Sequence, residues 1–106
     1  MSSFEFSPHV AIQVNNYDKA LEFYQNILGM KLVKKSHEEA ELEIGGMTFH
    51  VERSPQGHIF FEFKVQNVES VRQKLLKEGC RATATHLTKS YLITDPYGMR
   101  FHIFEE

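Results

Sequence analysis

The sequence predicts an α+β fold of two βαβββ modules whose paired, curved, mixed sheets form a cup, with the helices on the outside. Three observations lead there. The chain resembles itself at a spacing of about fifty residues, the signature of a duplicated unit. Inside each copy the apolar pattern changes from the three- and four-residue spacing of a helix to the alternation of strands. Each helical stretch also runs into a glycine, Gly29 in one copy and Gly79 in the other.

The elements follow in order. His9-Val10-Ala11-Ile12-Gln13-Val14 alternates as a strand, and the stretch from Asp18 to Leu28 carries Ala20, Leu21, Tyr24, Ile27 and Leu28 at helical spacing, with Asp18 as its cap. Alternation returns over Lys31 to Lys35, Glu39 to Ile44 and Met47 to Glu52, with Gly45-Gly46 as a turn. The second copy opens with His58 to Val65. Its helix runs from Val68 to Glu78, with Asn67 as cap and Val68, Val71, Leu75 and Leu76 as its apolar side. Strands follow at Arg81 to Thr85, Tyr91 to Thr94 and Met99 to Phe104, the last two separated by Asp95-Pro96-Tyr97-Gly98.

A chain of 106 residues with 42% hydrophobic and 25% charged residues has the composition of one ordinary globular domain. Residues 1–106 are therefore expected to form a single domain, with module 1 over about 6–53, module 2 over about 57–106 and a short linker from Arg53 to Gly57. The net charge of −2 supplies no basic field for a phosphate backbone, so nucleic acid is not an expected partner. No apolar run reaches the roughly 20 residues that span a bilayer, and Met1 to Glu5 lacks the features of a signal peptide, so no membrane is expected either. A single cysteine, Cys80, has no partner to bridge within the chain; it predicts a packed apolar residue in a reducing compartment, the cytoplasm.

Six histidines in so short a chain are the compositional oddity. Side chains alternate across a strand, so parity assigns their faces. Val10, Ile12 and Val14 should face the helix, which turns His9, Ala11 and Gln13 the other way. By the same test His50 lies opposite Phe49 and Val51, together with Thr48 and Glu52. His58 lies opposite Ile59, Phe61 and Phe63, together with Phe60 and Glu62. His102 lies opposite Phe101 and Ile103, together with Arg100 and Phe104. One histidine on an open sheet face is ordinarily a solvated residue. Four at matching strand positions of a duplicated unit argue instead for a site, and three or four converging imidazoles suit Zn, Ni, Fe, Mn or Co. His37 and His86 fall between strands and read as surface residues.

The duplicated pattern, the opening His9-Val10-Ala11-Ile12-Gln13-Val14, the segment from Ala20 to Met30 with its Phe23-Tyr24 and Leu28-Gly29 pairs, and the Asp95-Pro96-Tyr97-Gly98 turn give a resemblance over nearly the whole chain. The sequence resembles the vicinal oxygen chelate superfamily, the group of glyoxalase I, bleomycin-resistance proteins, fosfomycin-resistance enzymes and extradiol dioxygenases. The resemblance implies one metal ligand from the first and one from the fourth strand of each module, which are His9, His50 and, in the last strand, His102. In the fifth strand the matching position falls on Phe60, with His58 two residues earlier, a displacement of about 6.6 Å along a strand. Either a shifted strand brings His58 into the site, or three histidines form it with Phe60 at an open edge.

A second departure concerns the chemistry. Members of the superfamily that act as isomerases and lyases place carboxylates at the ends of the fourth and eighth strands, one of them serving as base, and here both positions are histidine. A proton-abstracting carboxylate would come from Glu52 or Glu62 on the cup face, or from Glu41 or Glu43 if the third strand turns its acidic side inward. The expected function is that of a glyoxalase-like, metal-dependent enzyme of lyase, isomerase or dioxygenase type. It would act on a small-molecule substrate chelated through neighbouring oxygens to a divalent metal ion held by His9, His50, His58 and His102. The alternative is a metal-free small-molecule binding protein of the bleomycin-resistance type, with Phe60, Phe104 and Tyr91 as walls. The resemblance further implies a homodimer.

Overall fold

Alternation of apolar and polar residues sets the strands, and the computed structural model, which describes residues 4–105, contains eight of them and two helices in the order βαβββ twice. They are β1 (Glu5–Val14), α1 (Tyr17–Asn26), β2 (Lys31–Lys35), β3 (Glu39–Ile44) and β4 (Met47–Arg53), then β5 (Ile59–Lys64), α2 (Val68–Lys77), β6 (Arg81–Ala84), β7 (Ser90–Thr94) and β8 (Arg100–Phe104). Of the N-terminal segment read for targeting signals, Met1 to Ser3 lie outside the described residues, as does Glu106. No described helix is long and apolar enough to cross a membrane.

The chain divides into two compact units, one of residues 8–59 and one of residues 4–7 with 60–105. In the first, the strand order is β2-β3-β4-β1, with β1 and β4 parallel and the other pairs antiparallel. The second repeats this as β6-β7-β8-β5, with β5 and β8 parallel. Each unit has its own core on the helix side of its sheet. Tyr17 and Leu21 of α1 cover Ala40, Leu42 and Val51, and Val68 and Val71 of α2 pack with Val65, Cys80, Ile93, Phe101 and Ile103.

The helix boundaries show where periodicity alone falls short. In α1 the cap is Asn16, whose side chain accepts the Lys19 N–H at 3.3 Å, and Asp18 lies in the first turn, not at the cap. The buried stripe is Tyr17 and Leu21 with Tyr24 beside them; Ile27 and Leu28, expected in it, are 69% and 46% exposed. In α2 Asn67 is the cap, accepting the Ser70 N–H at 2.9 Å. The helix closes with Gly79 N–H on the Leu76 carbonyl and Cys80 N–H on the Leu75 carbonyl, a left-handed stop that Gly79 adopts at φ +93°. Leu76, expected on the buried side, faces out. Replacing Asn67 by alanine should remove about 1 kcal/mol of stability, a fall of several degrees in Tm for a chain of this size; an unchanged melting curve would show the cap to be dispensable.

The strand β1 starts four residues earlier than the alternation from His9 suggests. Its first part carries Phe6, which with Phe4 packs edge-on against Phe63, itself edge-on to Phe101 in the second unit's core. Cys80 is packed as expected, and burial pushes its thiol pKa up, so it is a core residue without nucleophilic character.

Candidate functional site

Strand register fixes which side chains share a face. In the first unit Val10, Ile12 and Val14 of β1 stand beside Phe49, Val51 and Arg53 of β4, and the helix-free face carries His9 beside Thr48, Ala11 beside His50 and Gln13 beside Glu52. His9 and His50 are thus diagonal neighbours. Their rings lie nearly parallel with centroids 5.0 Å apart, and His9 Nδ1 and His50 Nε2 are 2.8 Å apart, a hydrogen bond in which one ring donates and the other accepts.

The next strand extends this face with acids. Glu39, Glu41 and Glu43 of β3 oppose Glu52, His50 and Thr48 of β4, so β3 does turn its acidic side toward the histidine pair. Glu41 stands directly across from His50 and also meets Lys34 Nζ at 3.8 Å. Glu52, one of the two expected proton carriers, is two residues from His50 on the same face.

His58 is placed differently. It immediately precedes β5, and its backbone is clamped by one residue, with the Gln13 N–H donating to the His58 carbonyl at 2.9 Å and the His58 N–H to Gln13 Oε1 at 3.3 Å. Gln13 is four residues along β1 from His9, roughly 13 Å of strand. Among the described residues, no group of three or more His, Cys, Asp or Glu side chains is gathered closely enough to share an ion. The close pair is His9 with His50. Gln13 was not singled out by sequence; its signal was an amide on an inward position of β1, beside a glutamate.

In the second unit β8 presents Arg100, His102 and Phe104 on its helix-free face, with Thr94, Leu92 and Ser90 of β7 on one side and Glu62 and Lys64 of β5 opposite His102 and Phe104 on the other. Alternation along β5 puts Phe60 on the same face as Glu62, and Phe60 is buried at 8% exposure. Tyr91 does not line this face. It stands beside Ile103 on the core side, its hydroxyl donates to Glu69 of α2, and the Arg72 guanidinium lies over its ring, so it cannot be a wall with Phe60 and Phe104. His37 is exposed in the turn between β2 and β3, and His86 is exposed between β6 and β7, as read from sequence.

His102 Nε2 is buried and has no hydrogen-bond partner among the described residues, while its ring lies 5.5 Å from that of Phe104. Burial holds its pKa below the ordinary histidine value, and the Glu62 carboxylate opposes this only in part. The ring is therefore neutral near pH 7, the state in which imidazole binds a metal. Below about pH 6.5 the unfolded chain takes up a proton that the folded one refuses, so stability from this group is complete above that pH and lost as pH falls. The metal-free protein should lose Tm more steeply than His102→Gln on going from about pH 7 to pH 5; parallel profiles would contradict this.

These geometries define a class: a duplicated βαβββ protein with imidazoles and carboxylates on the sheet faces its helices leave bare. The chain belongs to the Glyoxalase/Bleomycin resistance protein/Dioxygenase superfamily, whose family model matches residues 7–103. It is 30% identical over 114 aligned positions to a probable trivalent organoarsenical cleaving enzyme of Bacillus subtilis, covering 91% of this chain and 77% of that one. It is 49% identical to glyoxalase I of Saccharomyces cerevisiae over 37 residues, 34% of this chain and 11% of that protein. Homoprotocatechuate 2,3-dioxygenase of Brevibacterium fuscum shares the fold at a TM-score of 0.72 and 18% identity, over 99% of this chain and 37% of the dioxygenase. The enzyme of the same name from Arthrobacter globiformis gives 0.73 and 20%, over 98% and 37%. The chain thus spans little more than a third of each dioxygenase and about a tenth of the glyoxalase.

Proposed function

We propose that this protein is a glyoxalase-like, metal-dependent enzyme acting on a small substrate that presents two neighbouring oxygens. The observation that carries the reading is the His9–His50 pair, two ring nitrogens 2.8 Å apart on a sheet face. The buried Nε2 of His102 at the equivalent strand of the second unit, without a hydrogen-bond partner among the described residues, supports it. An all-imidazole set of nitrogen donors fits Zn, Ni, Fe, Mn or Co. His9 and His50 are the ligands proposed from the geometry, with His102 and His58 as the further candidates that the family resemblance supplies. A bound divalent ion would supply Lewis-acid polarisation of the substrate oxygens.

The chain's own carboxylates then divide the proton handling. Glu62 faces His102 across β5 and β8 and is the acid placed to accept or return a proton there, while Glu52 and Glu41 flank His50 in the other unit. Phe104 and Leu92 beside His102 line that end of the face with apolar surface. The arsenical relative raises the question of a thiophilic substrate. Soft centres select thiolates, and the one thiol here, Cys80, is buried in a core with its pKa raised, which favours an oxygen-chelating substrate over an arsenical.

We further propose that the two modules work as one domain and that the protein is a homodimer. The metal reading is tested by elemental analysis of the protein as isolated, with melting curves in added Zn, Ni, Co or Mn. A bound ion, or stabilisation of about 2.7 kcal/mol at a hundredfold excess over Kd, is expected; finding no bound ion and no shift would overturn it. Phe60, buried on the Glu62 face where a fifth-strand ligand is expected, favours a second reading, a metal-free module that binds an apolar ligand. In that case changing His50 and His102 to alanine leaves ligand affinity unchanged.

A further inference from the structure

We propose that Arg100 selects the substrate by binding a carboxylate on it, so that the substrate class is a small carboxylic acid with an apolar body. This rests on the reading of the His102 face as a substrate face.

Arg53 is half-buried and tied down, donating from Nε and Nη2 to the His37 carbonyl and lying 4.6 Å over the Tyr17 ring. Arg72 is half-buried and paired with Glu69 and the Tyr91 ring. Arg81 is exposed. Arg100 is the half-buried arginine whose guanidinium makes no hydrogen bond, ion pair or ring contact with any described residue. A planar fork of five donors, held on a strand and left without a protein acceptor, is suited to bidentate capture of an oxyanion.

Its position gives the ligand a shape. Arg100 and His102 lie on the same face of β8, two residues and roughly 6.6 Å of strand apart. Phe104 and Leu92 continue that face with apolar surface, and Thr94 stands beside Arg100 as a hydroxyl donor. An anion held by Arg100 therefore projects its body toward His102 and along the Leu92 and Phe104 side chains. Glu62, opposite His102, repels a dianion more than a monoanion, which favours carboxylate over phosphate.

The experiment needs no turnover. Binding of benzoate, benzamide and phenyl phosphate to the protein as isolated is followed by NMR titration, for wild type, Arg100→Gln and Arg100→Lys, with metal content and melting temperature measured alongside. Wild type should bind benzoate at least about tenfold more tightly than benzamide, the range expected of a charge-assisted pair. Arg100→Gln should abolish that preference without changing benzamide binding, metal content or Tm, and Arg100→Lys should restore part of it. Equal binding of benzoate and benzamide, no binding of benzoate at millimolar concentration, or an unchanged preference in Arg100→Gln would each overturn the proposal. Tighter binding of phenyl phosphate than of benzoate would overturn the carboxylate assignment. Loss of the metal reading would show instead as an absence of ion in wild type, with the benzoate preference intact.

Discussion

Substituting both His9 and His50 by alanine is expected to strip the protein of bound divalent metal and of any turnover that depends on it. Removing groups that merely support a metal ligand costs about 10- to 100-fold in affinity, and removing two imidazoles whose nitrogens stand 2.8 Å apart should cost more than that. The fold should survive, because both rings lie on the helix-free face and neither belongs to the cluster of Tyr17, Leu21, Ala40, Leu42 and Val51. Elemental analysis and the metal-dependent rise in Tm read the loss, and circular dichroism reads the fold. A double variant that retains wild-type metal content would remove His9 and His50 from the site.

The second large effect concerns the two cores. Leu42 and Ile93 are fully buried in different units, so Leu42→Ala and Ile93→Ala should each cost about 2–5 kcal/mol, the lost transfer energy plus an unfilled cavity. For a chain with total stability on the order of 5–15 kcal/mol, either change removes a large share of it. Ile27→Ala removes as many carbons from the same chain, yet Ile27 is 69% exposed, and its effect should stay within about 0.5 kcal/mol. Urea titration of the three variants separates the cases, and a midpoint for Leu42→Ala matching that of Ile27→Ala would contradict the packing described.

What was legible in the sequence follows from which interactions are local. Alternation is a property of neighbouring residues, so the faces of His9, His50 and His102 could be read from Val10, Phe49 and Ile103 and agree with the observed register. Caps are local too, and Asn67 was found by its place before an apolar run. Asn16 was missed because Asp18, two residues later, is an equally good capping type. The stripe of α1 was read one arc too far, because spacing marks Ile27 and Leu28 as well as Leu21, and only the sheet beneath decides which arc is covered. Tyr91 was misplaced for a related reason: its hydroxyl partner, Glu69, lies on α2, beyond any local pattern. The placement of His58 turned on the Gln13 clamp, a contact across 45 residues.

The start of β1 was illegible for the same reason, and its packing bears on how the chain is made. Phe4 and Phe6 pack edge-on against Phe63, itself edge-on to Phe101, so these two rings are made roughly sixty residues before Phe63 and nearly a hundred before Phe101. During translation these two aromatic side chains have no native ring to pack against until Phe63 has emerged. Until those later rings join them, Phe4 and Phe6 present apolar surface that a chaperone or a neighbouring nascent chain can cover.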